Sequence, residues 1–251
     1  MNLEVILSPA ELPALAQRDL RTTACVVFDV LRATSTFVSA LYHGAAEIIP
    51  VSEISESLEI KKRRPKVLLG GERHGVRISA GGIDFDFGNS PREYTPEKVR
   101  GKTIVSTTTN GTRALRACLG AKAVLAASLL NLTATLEFLR LNHFENILLV
   151  CAGTGENPAS EDIIAAGALV DALLPGKDTF SKRTESAVAA RNAYFEAVRM
   201  GLEQKIRLAE NAQRLLSLPE LRDDVAFCLQ HDIFPLVARM ENGAIRRQKE
   251  L

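Results

Sequence analysis

The chain has no tryptophan and only three tyrosines, so its core must be built from aliphatic side chains and ten phenylalanines. Its four cysteines, Cys25, Cys118, Cys151 and Cys228, are far apart and form no CxxC pair, which excludes the usual zinc spacings. They read as buried free thiols in a reducing compartment. No apolar run approaches the roughly 20 residues needed to cross a bilayer. The opening MNLEVILSPAELP is too short and too acidic for a secretory leader, so a cytoplasmic location is expected. Net charge is only +1, which leaves no basic surplus to hold nucleic acid or an anionic membrane. Internal repeats, low-complexity tracts and flexible linkers are also missing. With 46% apolar residues over 251 positions, the chain can bury a large core without disulfides.

What is there is one pattern used three times: an apolar strand, a polar loop, then a helix. The units are CVVFDVLRATST from Cys25, TIVSTTTNGTR from Thr103 and ILLVCAGTGENPASED from Ile147. Repeated units of this kind predict an α/β fold, a three-layer α/β/α arrangement on a mostly parallel, or mixed, sheet. Strands are expected at 5–7, 24–30, 47–51, 66–69, 103–106, 123–127 and 147–150. Helices are expected at 35–43, from a Ser52 cap to 64, and at 111–119. Further ones are expected from an Asn131 cap to 141 and at 159–174. Residues 184–216 read as almost wholly helical and 223–230 as a short helix. Residues 234–245 read as a hairpin turning at Asn242-Gly243. The whole chain, 1–251, is expected to be one domain, with 176–251 as a helical cap packed on it. A homodimer is expected, and the Ala-rich helix near Ala187 to Ala197 either forms its contact or packs onto the sheet.

Ligands of open α/β sheets bind outside the carboxyl ends of the strands, so the three loops should share one site. In DVLRATST, Asp29 ends an apolar strand, where an Asp is costly unless paired, hydrogen-bonded or bound to metal. Arg32 can fork onto a phosphate, and Thr34 can cap the following helix. An Asp29–Arg32 pair that merely supports the loop is the alternative. In TTTNGTR, Thr109, Asn110, Gly111 and Thr112 open a helix whose free N–H groups suit an anion, and Arg113 adds charge. The alternative there is a plain Thr cap. In GTGENPASED, Glu161 and Asp162 fall in a first helical turn, where the dipole alone favours acids. Asp29, Glu72 and Glu161 or Asp162 make the candidate ligand set for a hard cation, since Mg2+ takes few carboxylates plus waters and substrate oxygens. The Gly-, Asp- and Asn-rich stretch 75–96 is long for an irregular segment in a compact domain, which marks it as functional. Together the residues suit a small phosphorylated anion held with a divalent cation.

Several familiar phosphate motifs fail. TTTNGTR lacks the Gly-Lys-Ser/Thr ending of a Walker A loop. The sixth residue after Cys151 is Asn157, not the Arg that a tyrosine-phosphatase loop requires. Leu31 breaks a DxDxT motif after Asp29, and no GxSxG elbow occurs. Arg73-His74-Gly75-Val76-Arg77 spells the RHGxR signature of histidine phosphatases, but it follows a later strand rather than the first one.

The segments FDVLRATST from Phe28, GGER from Gly70, FDFGNSP from Phe85, STTTNGTRAL from Ser106 and CAGTGENPASED from Cys151 closely resemble the 2-phosphosulfolactate phosphatase family. The tail DDVAFCLQHDIFPLV from Asp223 looks similar too, so the resemblance covers nearly the whole chain. It implies Mg2+-dependent hydrolysis of (R)-2-phospho-3-sulfolactate to 3-sulfolactate and phosphate, a reaction of coenzyme M biosynthesis. On that footing Asp29 and Arg32 are the catalytic candidates, with Asp29 a metal ligand, a base or a nucleophile. Arg73, Arg77 or Arg113 would hold the sulfonate and carboxylate, and Asn89 and Ser90 would join the substrate site. Two alternatives stay open: a phosphatase for another small phosphorylated acid, or a non-catalytic phosphoanion-binding module.

Overall fold

The computed structural model describes residues 1–15, 17–174 and 184–248. Twelve strands are formed among them. They are β1 (Asn2–Ile6), β2 (Thr23–Phe28), β3 (Glu47–Pro50), β4 (Leu68–Arg73), β5 (Val76–Arg77), β6 (Ser79–Ala80), β7 (Ile83–Asp84), β8 (Thr103–Thr107), β9 (Ala123–Ala127), β10 (Asn146–Cys151), β11 (Ala238–Glu241) and β12 (Ala244–Arg247). All but β6 and β7 join one sheet in the order β1-β10-β2-β9-β11-β12-β3-β8-β4-β5. The architecture is the expected α/β one, with a mixed sheet and C-terminal helices.

The sheet consists of two parallel blocks. β1, β10, β2 and β9 pair in parallel, and so do β3, β8 and β4. The C-terminal hairpin β11–β12 lies between the blocks and pairs antiparallel on both sides. Three successive antiparallel steps reverse direction, so the two blocks run in opposite senses. The hairpin forms because Asn242 and Gly243 both adopt positive φ, 50° and 78°, as a two-residue primed turn requires. Residues 238–247, sequentially the tail, are therefore the middle of the sheet.

Helices Ala33–Tyr42 and Gly111–Ala117 touch both blocks. Their core unites Cys25, Val27 and Val124 of the first block with Ile48 and Ile104 of the second. The sheet thus bends around these two helices and brings the ends of β2 and β8 together. On the outer face of the first block, helices Leu132–Leu141, Ser160–Leu173 and Glu185–Met200 build a second core. Helix Ile54–Arg63 covers Leu69 and Val105 of the other block. All six residues of β2 are buried, as its unbroken apolar run implies.

Three local expectations are corrected. Helix Ile54–Arg63 is capped by Glu53 in a reciprocal box with Glu56, not by Ser52. The strand expected at 66–69 runs on as Leu68–Arg73, because β8 and the bridge to Phe87 offer pairing partners to Gly70 and Gly71. Asn131 precedes helix Leu132–Leu141 but does not cap it with its side chain. Asp232, from far along the chain, accepts the Thr133 N–H at 2.6 Å instead.

The alanines of helix Glu185–Met200 are used inside the chain. Ala187, Ala190 and Ala197 are buried against helix Ser160–Leu173 and its neighbours. Gly167 allows that approach, since a Cβ there would strike the Ala190 carbonyl. The helix thus packs internally on helix Ser160–Leu173 and on β1. The expected cap boundary at 176 lies outside the described residues.

Candidate active site

The loop after β2 turns directly into helix Ala33–Tyr42. Thr34 Oγ1 accepts the Asp29 N–H at 3.0 Å and donates to the Asp29 carbonyl at 2.9 Å, and the Thr34 N–H also donates to that carbonyl. Asp29 Oδ1 accepts the Ala33 N–H at 3.1 Å. The carboxylate is thereby fixed and its Oδ2 has no hydrogen-bond donor among the described residues. Facing it is Gly111, the first residue of the helix after β8. A Cβ on Gly111 would lie 2.6 Å from Asp29 Oδ2 and 2.6 Å from the Ala33 methyl, so only glycine lets the two loops meet.

A cavity of about 270 Å³ opens where they meet. Asp29, Arg32, Glu72, Asn89, Thr109 and Asn110 all line it. Glu72, near the end of β4, is held by three donors. Its Oε1 accepts from the Thr109 N–H and hydroxyl at 2.9 and 3.0 Å, and its Oε2 accepts the Gly75 N–H at 2.7 Å. Asn110 donates to the Gly153 carbonyl at 2.6 Å, which ties the second loop to the third. Asn89 is buried, and its Oδ1 has no partner among the described residues. An unpaired buried acceptor at a cavity wall is available to a ligand or a water.

Electrostatics single out Asp29. Burial pushes its carboxyl up to about 7, the Ala33 N–H opposes this, and the nearby charges of Glu72 and Glu161 add to the rise. Burial likewise raises Glu161, against a hydrogen bond from Asn211 at 2.7 Å. Asp162 is raised well above the carboxylate range by burial, then by Glu161 and Asp29. Both Asp162 oxygens accept backbone donors, the Val30 N–H at 2.8 Å and the Gly153 N–H at 3.0 Å. Asp162 braces the first and third loops. Neither it nor Glu161 lines the cavity.

The arginines are distributed otherwise than the sequence suggests. Arg32 is buried and lines the cavity, but its partner is not Asp29. Its Nη1 donates to Asp224 Oδ2 at 2.7 Å and its Nη2 to the Gly75 carbonyl at 3.2 Å. Arg73, Arg77 and Arg113 do not line the cavity. Arg73 is spent on the Ser52 carbonyl and Thr107 Oγ1, Arg77 on Glu93 at 2.6 Å and Arg113 on Glu156 at 2.6 Å. Thr34, Gly111 and Thr112 shape the loops without reaching the cavity, with Thr112 Oγ1 donating to the Thr108 carbonyl. Ser90 donates to Asp224 Oδ1 at 2.7 Å and so acts on Arg32 indirectly. The RHGxR stretch is the β4–β5 hairpin, with His74 and Gly75 as its turn at φ 54° and 82°. His74 is exposed at the cavity mouth.

Four contributors escaped the sequence reading. Asp224, fully buried on helix Arg222–Cys228, is the counter-charge of Arg32. Helix Glu210–Leu216 brings Asn211, Arg214 and Leu215 to the cavity wall beside Gly153, Thr154 and Gly155. Asp224 lies in the DDVAF segment noted above, so a signal existed for it. Asn211 and Arg214 sit in a stretch that reads only as polar helix.

Acids and a buried guanidinium at converging strand ends, around a small polar cavity, make a site suited to a small anionic ligand. Comparison with known proteins narrows this. The family model described as 2-phosphosulpholactate phosphatase matches residues 9–243. The chain is 45% identical over 220 residues to a Thermotoga petrophila protein named "Probable 2-phosphosulfolactate phosphatase", covering 87% of this chain and 89% of that one. Proteins of the same name are 38% identical in Caldanaerobacter subterraneus subsp. tengcongensis, over 94% of this chain and 95% of that one, and 36% identical in Clostridium perfringens, over 98% and 96%. The chain belongs to the 2-phosphosulfolactate phosphatase family.

Proposed function

We propose that this chain hydrolyses (R)-2-phospho-3-sulfolactate to 3-sulfolactate and inorganic phosphate, with Mg2+ as cofactor, in the cytoplasmic synthesis of coenzyme M. One observation carries the reading. Asp29, Glu72 and Arg32 share one small cavity, in a chain whose relatives bear that substrate's name.

The donor set fits a hard cation. Asp29 and Glu72 offer only oxygen, and, after burial, repulsion from the Glu72 and Glu161 charges raises Asp29. A positive ion beside them relieves that repulsion. Among the described residues no three acids, histidines or cysteines gather closely enough to hold a metal alone. Mg2+ does not require that, since it keeps several waters and substrate oxygens. Asp29 and Glu72 would hold it, and when bound it supplies Lewis-acid neutralisation of the phosphoryl oxygens.

The chain's own residues do the rest. Arg32 presents its guanidinium to the phosphoryl group, fixed by Asp224 so that no reorganisation is needed at the moment of reaction. Thr109 and Asn110 line the same cavity and orient Glu72 and the third loop. Hydrolysis breaks the P–O ester bond, adds the water's hydroxyl to phosphorus and returns a proton to the leaving alkoxide.

The test is phosphate release from racemic 2-phosphosulfolactate, with Mg2+ and with excess EDTA. Release of at most half the phosphate, abolished by EDTA and restored by Mg2+, is expected. Release untouched by EDTA would instead point to His74 at the cavity mouth.

A further inference from the structure

The substrate just proposed carries two more acidic groups besides the phosphate, and the arginines expected to hold them are engaged elsewhere. Arg73 serves backbone and Thr107, while Arg77 and Arg113 are paired with Glu93 and Glu156. Two guanidiniums line the cavity, Arg32 and Arg214. Arg32 is already neutralised by Asp224. Arg214 has no carboxylate within ion-pair distance among the described residues. Its one side-chain hydrogen bond among those residues is from Nη2 to Asn211 Oδ1, at 2.9 Å.

That single bond is itself well supported. Asn211 is buried one helical turn before Arg214, on the same face of helix Glu210–Leu216. Its Nδ2 donates to Glu161 Oε1 at 2.7 Å and to Thr154 Oγ1 at 2.6 Å, so its oxygen can face only Arg214. Ala212 and Leu215 anchor the helix in the core. The guanidinium is thus aimed, with Glu161 acting on it only from beyond ion-pair distance, and its remaining N–H donors have no partner among the described residues. A planar fork of donors matches a carboxylate or a sulfonate.

Resting on the phosphatase reading above, we infer that Arg214 is the receptor for the second acidic group of the substrate, the carboxylate or sulfonate remote from the phosphate. Arg32 meets the phosphoryl group and Arg214 the far end, so the distance between them selects a small acid that carries its phosphate beside another anion. Asn211 is a positioning residue for Arg214. The C-terminal helices, by this account, supply selectivity to a reaction centre built by the strand loops.

The experiment compares wild type, R214Q and R214K on three substrates: 2-phosphosulfolactate, 2-phospholactate, which lacks the sulfonate, and the phosphate ester of 2-hydroxyethanesulfonate, which lacks the carboxylate. R214Q is expected to lower kcat/KM for 2-phosphosulfolactate about 10- to 100-fold, mostly through KM, the size of one charge-assisted contact. On one of the two truncated substrates the same variant should cost less than about threefold. That substrate identifies the group Arg214 holds, since it is the one missing it. R214K should recover part of the loss. An equal penalty on all three substrates, or none on any, overturns the inference. If wild type turns over none of them, the phosphatase reading fails by itself. Arg214 is then judged by calorimetric binding of 3-sulfolactate, which R214Q must weaken relative to wild type for the inference to stand.

Discussion

Asp224 offers the sharpest perturbation, because its contact with Arg32 is buried, while its second charged partner, Arg92 at 3.6 Å, is half-exposed. It and Arg32 have side chains exposed by 0% and 3%, and they meet at 2.7 Å. Solvent screening, which makes surface pairs nearly worthless, does not operate there. D224N keeps the shape and can still accept from Ser90, but it leaves the Arg32 charge buried without a counter-ion. Breaking such a pair costs about 3–5 kcal/mol. For a chain of this size each kcal/mol moves Tm by about 2–4 °C, so a fall of about 6–20 °C is expected by calorimetry. Turnover should fall further than stability alone implies, by about 10²-fold below the new Tm, because a guanidinium displaced by an ångström misses the phosphoryl group. The double variant R32M/D224L separates the two effects. Replacing both partners by apolar groups of similar size should restore much of the lost stability and none of the activity. D224N with Tm within about 2 °C of wild type and full turnover would refute the reasoning.

Other expectations follow from the same geometry. Asp29, Glu161 and Asp162 all sit above their unfolded values, Asp29 near 7. The native state therefore holds more protons than the unfolded chain between about pH 4 and pH 7, and the metal-free protein should lose stability as pH rises through that window. A Tm measured in EDTA that rose from about pH 5 to about pH 7 would contradict this. In the same buffer at about pH 8, D29N should melt above wild type, because the destabilising charge is gone. R77Q and R113Q, which cut exposed pairs with Glu93 and Glu156, should leave kcat/KM within about twofold. G167A should lower Tm by several degrees by forcing helices Ser160–Leu173 and Glu185–Met200 apart, with KM unchanged. An unaltered Tm would mean that the helices separate at no cost.

What the sequence made legible was local. The unbroken apolar run before Asp29 is β2, buried throughout, and Asn242-Gly243 is the hairpin turn that its φ values require. The meeting of Asp29, Glu72, Thr109 and Asn110 followed from the rule that strand ends share a site. Non-local pairing was not legible. Nothing in residues 238–247 says that they splice two parallel blocks running in opposite senses. The same holds for charges. Asp223 and Asp224 are identical in sequence and adjacent, yet one side chain is 63% exposed and the other fully buried on Arg32. Four arginines near the loops, Arg32, Arg73, Arg77 and Arg113, were all candidates to meet the substrate. Their partners, Asp224, Thr107, Glu93 and Glu156, decide which one reaches the cavity, and those partners are set only by the fold.

The central claim is that the Asp29 cavity is the seat of phosphate release. Phosphate liberated from 2-phosphosulfolactate in saturating Mg2+ should be measured for wild type and D29N side by side, with circular dichroism on both samples. The account predicts a folded D29N whose turnover is lower by about 10²-fold or more. A folded D29N that releases phosphate at the wild-type rate would contradict it.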